Sequence, residues 1–161
     1  AARSGTRAGA PGRRGSPRKL ECPGEESPKV HYRLLEPKEF AGKHVLVVGG
    51  GNSAVESALS LSDAQCCSSV AISYRKGAFA RCRAENRRRI DEAIAIGAVQ
   101  ALMPSEISRI ENDAVYLKSE GNEVKLQNDS IIVQIGGTAP SELLQKFGVE
   151  VVKKYGEAWR T

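Results

Sequence analysis

The stretch VLVVGGGNSAVESA, residues 45–58, decides the fold. Its first half, with His44 in front, is a short unbroken apolar run, HVLVV over 44–48, the pattern of a strand buried on both faces. Three glycines follow at once. From there the pattern turns helical over 53–65, with Ala54, Val55, Ala58, Leu59 and Leu61 on one broad face. Gly49, Gly51 and Ala54 spell G-x-G-x-x-A at the junction. The first small residue allows a tight turn off the strand, the second lets a phosphate group approach the backbone, and the third lets helix and strand pack closely. The N–H groups at the helix start offer that phosphate donors and a partial positive charge. Ser53 is expected to cap the helix or to donate to a phosphate, and Ser53 with Glu56 spells a capping box, S-x-x-E.

Working outward, SVAISY at 69–74 reads as a second buried strand, so the glycines sit inside a βαβ unit. That context turns a weak motif into a dinucleotide-binding reading; the alternative is a tight strand-to-helix turn with no ligand. The end of the second strand distinguishes the dinucleotides. An acid there would accept the ribose 2′-hydroxyl of NAD(H). The sequence instead has Tyr74-Arg75-Lys76, with no acid before Glu85. Arg75 and Lys76 suit a 2′-phosphate, Arg81 is placed to close over it, and Tyr74 to stack on adenine, which favours NADP(H). The competing reading is a solvated basic loop. Glu56 has a second reading beside capping, in which it points toward the nicotinamide end.

Beyond this unit, 84–96 reads as a second helix with Ala84, Ile90, Ala93 and Ile94 inward and Arg87, Arg88 and Arg89 on a solvated face. AVQALM at 98–103 is a third strand. EISRIEND, AVYLKSEG and NEVKLQND then alternate apolar with polar residues between turn signals, which predicts a three-stranded antiparallel meander. SIIVQIGG at 130–137 returns as a buried strand, and SELLQKFGVEV reads as a short helix and exit. The fold class expected is α/β: a Rossmann-like, three-layer parallel sheet carrying an antiparallel β-meander.

The 161 residues amount to about one domain, with 40% apolar residues and 5% aromatic, so the core should be aliphatic. The net charge of +5 is local. Residues 1–20 hold six cations and no acid, whereas 21–161 carry 18 basic against 19 acidic residues. The tail is Gly-, Arg-, Ser- and Pro-rich and cannot form a core. We therefore read 1–20 as a disordered or foreign basic tail, 21–42 as an approach segment, 43–156 as the dinucleotide-binding domain and 157–161 as a tail, with ordered structure beginning near Lys43. A near-neutral globular part argues against nucleic acid as a partner. No apolar run is long enough to span a bilayer and no signal peptide is visible, so the expected location is the cytoplasm, away from membranes. Cys22, Cys66, Cys67 and Cys82 include no C-x-x-C and are expected as free thiols. Neither His31 nor His44 has partners at a telling spacing. No metal-ligand cluster and no nucleophile with its base is evident.

GGGNSAVESA, SYRKGAFAR and DSIIVQIGGTAPSELLQKFGVEV together resemble the NADPH-binding domain of thioredoxin-reductase-like flavoproteins. GRRGSPRKLECPGEE upstream resembles the segment by which such chains leave their FAD domain. The resemblance spans residues 11–156. It implies a flavoprotein of two dinucleotide-binding domains in which NADPH passes a hydride to FAD. Position by position it implies that Gly49, Gly51, Asn52, Ser53 and Ala54 hold the pyrophosphate. Glu56 then takes the acid position of the motif, and Tyr74, Arg75 and Lys76 take the adenosine-phosphate segment. Arg81 lies one place beyond the later arginine, and Ile135, Gly136 and Gly137 form the glycine turn near the nicotinamide. The missing C-x-x-C does not support thioredoxin reductase activity and points to relatives resembling bacillithiol-disulfide or ferredoxin–NADP reductases. The FAD-binding motifs are also missing, so the resemblance implies a portion of a longer protein. Its partner would be the FAD-binding domain of the same full-length chain, and the apolar surface left exposed would favour a homodimer. The electron acceptor is not named by the sequence. A non-catalytic dinucleotide sensor or interaction module is the alternative reading.

Overall fold

A computed structural model describes residues 17–34 and 36–136. Every element below belongs to the unit Arg18–Gly136, one of two into which the chain divides. In order they are β1 (Val30–His31), a 3₁₀ turn (Pro37–Phe40), β2 (His44–Val48), α1 (Asn52–Ala64), β3 (Ser69–Ser73), α2 (Ala84–Ala95), β4 (Gln100–Leu102), β5 (Glu106–Ile110), β6 (Ala114–Ser119), β7 (Asn122–Gln127) and β8 (Ser130–Val133).

Five strands form a parallel sheet in the order β1-β8-β2-β3-β4. The register alternates side chains between two cores, as a pleated strand must. Val45 and Val47 of β2, Val70 and Ile72 of β3 and Ile132 of β8 face one core, which α1 and α2 cover with Val55, Ala58, Leu61 and Ile90. Leu46, Val48, Ala71, Ile131 and Val133 face the other. That second face is covered by the antiparallel sheet β5-β6-β7, through Ile110, Val115 and Leu117. Helices, parallel sheet and meander make the three layers that the sequence predicts. The continuous apolar runs are thus explained by cover on both sides, and the alternating ones by cover on one side only.

Each element expected within the described residues is found, several with shorter ends. α1 begins at Asn52, one residue early, so Gly51 is its N-cap and no side chain caps it. The Ser53–Glu56 capping box is therefore corrected: Ser53 lies inside the first turn and both side chains are exposed. Tyr74 falls just outside β3. Ala84, expected inward, is exposed because α2 leans on the core only through Ile90 and Ala93, with Ile94 half-buried. Regular structure also starts well before Lys43. β1 pairs with β8 at the sheet edge, Val30 beside Ile131, and Phe40 of the 3₁₀ turn is buried in the helix-side core. Two paired residues leave no periodic signature, which is why β1 escapes a reading by pattern. The helix expected at SELLQKFGVEV lies outside the described residues. Among the described residues no helix is long and apolar enough to cross a membrane.

Candidate functional site

The site lies where the order of the parallel strands reverses. Chain order runs from β2 outward through β3 to β4, then returns to place β8 on the other side of β2. Loops leaving β2 and β8 must part there, opening a crevice at the carboxyl ends of the strands. A cleft of about 380 Å³ occupies that place. Backbone hydrogen bonds lace its floor: Gly49 N–H donates to Ser73 O (2.9 Å) and Gln134 N–H to Val48 O (2.8 Å).

The glycine loop shapes this floor by two separate steric demands. Gly49 has φ +140°, a conformation that side-chain-bearing residues rarely adopt, and a Cβ there would run into the carbonyl of Gln134. The same Cβ would also meet the methyl of Ala54 at 3.0 Å, so the closeness of strand and helix is fixed by both residues. At Gly50 a Cβ would run into the ring of Tyr74. At Gly51 it would meet nothing within 4 Å among the described residues. The first two glycines are bare because protein fills the space. The third faces open space where a ligand can approach.

Of the residues singled out in the sequence, Gly49, Gly51, Tyr74, Arg75, Arg81, Ile135 and Gly136 line the cleft. Asn52, Ser53, Ala54, Glu56 and Lys76 do not line it. Ala54 is wholly buried against the strand. Asn52 turns toward α2, where its Oδ1 accepts from Arg83 N–H (2.8 Å) and Asn86 Nδ2 (3.2 Å). Glu56 Oε1 accepts from the same Asn86 Nδ2 (3.0 Å). Gly137 lies outside the described residues. Tyr74 stacks on Phe79, with ring centroids 6.0 Å apart and planes 7° from parallel. The Cys82 thiol, buried, donates to Gly50 O over 3.4 Å. Burial pushes that thiol's pKa up, Glu56 adds to the rise and Arg87 opposes it, so Cys82 stays a neutral donor.

Sequence reasoning missed Gly50, Gln134, and a far wall made of Arg18, Leu20 and Ser105–Ile107. Three glycines in a row signalled Gly50; the wall carried no local signal, because it comes from the basic tail and from the start of the meander. Ser73 and Ser105 join floor to wall through a hydroxyl pair 2.8 Å apart. Among the described residues the cleft thus presents three arginines, Arg18, Arg75 and Arg81, against one carboxylate, Glu106. The first turn of α1 carries no acidic residue and no side-chain cap, so among the described residues its N–H groups have no side-chain acceptor. This donor set fits an extended ligand with several anionic groups. Cys22, Cys66, Cys67 and Cys82 are free thiols, and among the described residues no cluster suits a metal ion.

Comparison with known proteins places this geometry in a family. Residues 9–158 match the pyridine nucleotide-disulphide oxidoreductases, and the chain belongs to that family, whose members depend on FAD and NAD(P)H. It is 35% identical over 143 residues to a ferredoxin–NADP reductase of Ignicoccus hospitalis, covering 85% of this chain and 45% of that protein. The bacillithiol disulfide reductase Bdr from Bacillus cereus superposes with a TM-score of 0.78 at 23% identity, covering 91% of this chain and 45% of that one, a likeness of fold. Thioredoxin reductase from Lactococcus lactis gives 0.65 at 29% identity, with 74% and 41% covered. The chain spans less than half the length of these relatives.

Proposed function

From membership in that family as premise, we propose that this chain is the NADPH-binding domain of an FAD-dependent oxidoreductase, one that holds the nicotinamide for hydride transfer to a flavin. The observation that carries the reading is the cleft at the strand-order reversal, floored by Gly49–Gly51 and flanked by Arg75 and Arg81 with no acid at the end of β3. Gly51 and the uncapped first turn of α1 would hold the pyrophosphate through backbone donors, with the Ser53 hydroxyl, exposed outside the cleft wall, as a further donor at the helix start. Arg75 and Arg81 would hold the 2′-phosphate, with Lys76 adding charge from outside the cleft wall. Tyr74 offers an aromatic edge for the adenine, and Ile135 with Gly136 a bare turn off β8 for the nicotinamide end.

When bound, NADPH supplies the hydride and FAD receives it; the chain contributes position. Its four cysteines include no C-x-x-C, so it brings no dithiol of that spacing to the reaction. The flavin and its domain would belong to the rest of a longer protein of the kind this chain partly spans, and we assign the FAD-binding domain of the same full-length protein as its partner.

A thermal-shift titration with NADPH, 2′,5′-ADP and NADH tests the reading. NADPH and 2′,5′-ADP should raise the melting temperature clearly and NADH much less. Equal shifts with NADPH and NADH would remove the 2′-phosphate assignment. No shift in a sample that melts cooperatively would reduce the glycines to a turn.

A further inference from the structure

Arg75 and Arg81 stand on one loop, 74–83, that leaves β3 and returns as α2. Arg75, Lys76, Gly77 and Ala78 are exposed, and so are Ala80 and Arg81. Such a stretch has little packing of its own to hold two arginines still. Its start is tied by backbone, Tyr74 N–H donating to Leu102 O and Ser105 N–H to Tyr74 O; beyond Tyr74 two further attachments hold it to the glycine loop and the helix that follows. One is apolar. The Tyr74 ring lies where a Gly50 side chain would be, Phe79 stacks beneath it, and the Cys82 thiol donates to Gly50 O. The other is polar and turns on one atom. Asn52 Oδ1 accepts both from the backbone N–H of Arg83, where the loop ends, and from Asn86 in the first turn of α2. Asn86 reaches on to Glu56 one turn along α1. Arg83 is the N-cap of α2 and makes no side-chain cap of its own, so Asn52 supplies from another helix the acceptor that this start lacks.

We propose that Asn52 is a positioning residue rather than a phosphate ligand. Through Arg83 N–H and Asn86 it fixes the arginine loop on the glycine loop, and so sets the preference for a 2′-phosphorylated dinucleotide. The inference rests on the reading of the cleft given above and deepens it. The physical reason is preorganisation. A guanidinium held beside the phosphate position loses little freedom on binding, whereas one on a loose loop must be ordered at that moment. The pyrophosphate seat does not depend on this attachment, because Gly51 and the backbone of α1 supply it.

Two roles for Asn52 therefore predict different ratios. If its amide bound phosphate, Asn52→Ala would weaken NADPH and NADH alike. If it positions the loop, Asn52→Ala weakens NADPH about tenfold, the scale of one or two immobilised side chains, and leaves NADH within about twofold. The experiment is calorimetric titration of the whole chain with NADPH, NADH and 2′,5′-ADP, for wild type, Asn52→Ala, Asn52→Asp and Asn86→Ala. Asn52→Asp keeps the acceptor oxygens. It should keep the NADPH-to-NADH ratio even if the added charge weakens both ligands. Asn86→Ala lies outside the glycine motif and should shift the ratio in the same direction by less, which keeps the test open if Asn52→Ala does not fold. An unchanged ratio in Asn52→Ala or Asn86→Ala, with wild type preferring NADPH, overturns this inference alone. A wild type that binds both dinucleotides equally overturns the reading of the cleft, and this inference with it.

Discussion

The two ends of the parallel sheet are built from the same strands and satisfy their backbones in opposite ways. At the amino end, side chains close nearly everything. Asp129 Oδ2 accepts from His44 N–H (2.8 Å), and Asp129 N–H donates back to His44 O (2.9 Å). His44 Nδ1 and Ser69 Oγ share a hydrogen bond of 2.8 Å, and Ser68 Oγ donates to Gly42 O (2.8 Å). The buried ammonium of Lys29 donates to three carbonyls, those of Asn112, Ala114 and Asn128. Burial pulls the Lys29 pKa down while Asp113, Asp129 and Glu111 pull it up, and the balance is downward. At the carboxyl end the ties are mostly backbone, with the Ser73–Ser105 hydroxyl pair on the far side, and the chain then runs bare through Gly49–Gly51 into an uncapped helix. An end whose donors are mostly matched adds stability and has little left with which to hold an anion. An end with donors left over can bind an anion, at some cost to stability.

Breaking the glycine loop should have the largest effect. Gly49→Ala puts a side chain at φ +140° and against a carbonyl whose residue is held by its own hydrogen bond to Val48. We expect a loss of about 3 kcal/mol in urea unfolding, from backbone strain and overpacking together. A loss under about 0.5 kcal/mol would show that the loop gives way and that the tight turn is not required.

The closed end is broken by Lys29→Met, which takes one donor from each of three carbonyls, Ala114 O keeping the N–H of Glu111. A loss of about 2 kcal/mol is expected, with dinucleotide affinity unchanged within about twofold, since Lys29 does not line the cleft. Affinity falling in step with stability would mean that the two ends are not separable.

Arg75→Ala sharpens the comparison from the other side. It should cost NADPH about tenfold in affinity, the value of a charge-assisted contact, and leave both NADH affinity and unfolding midpoint where they were. Titrations at low and high salt would check it further, the difference narrowing as salt screens the phosphate.

The smallest effect concerns Glu25, in the segment that leads into the sheet. Burial raises its pKa, but the backbone N–H of Leu20, the Tyr32 hydroxyl (2.8 Å) and the N–H of Glu21 outweigh burial and hold the carboxyl below its ordinary 4.5. A carboxyl with a depressed folded pKa adds stability above its unfolded pKa, and that stability is lost as pH falls. Glu25→Gln should therefore differ from wild type at neutral pH and converge on it below pH 4.5, in melts recorded along a pH series. The partner Tyr32 is pushed up to about 12 by burial and by Glu25, so it keeps its proton throughout.

Much of this was legible in the sequence, for reasons that differ by element. HVLVV matched β2 residue for residue, because a strand covered on both faces is apolar at every interior position and ends where the glycines begin. The three meander strands were legible because one covered face leaves apolar residues alternating with polar ones, an alternation that β5 interrupts only at the irregularity between Ile107 and Arg109. Gly49 and Gly51 were legible as a motif, but the motif had no place for Gly50, whose reason is the Tyr74 ring, 24 positions on. Asn52 is the opposite case. The motif put it among the phosphate residues, and the structure turns its side chain to Arg83 and Asn86, partners that no local pattern names. Arg18, Ser105 and Glu106 reach the cleft through the topology of the sheet, and their neighbours in sequence say nothing of it.

The most direct test of the central claim, that the bare carboxyl end is where a dinucleotide sits, is amide chemical-shift mapping of the isotopically labelled chain during NADPH titration. The account predicts perturbations concentrated at Gly49–Asn52, Arg75, Arg81 and Ile135–Gly136, with the amides of 42–44, 66–69 and 128–130 at the closed end unmoved. Perturbations confined to the closed end, or to the basic residues before Pro17, would contradict it.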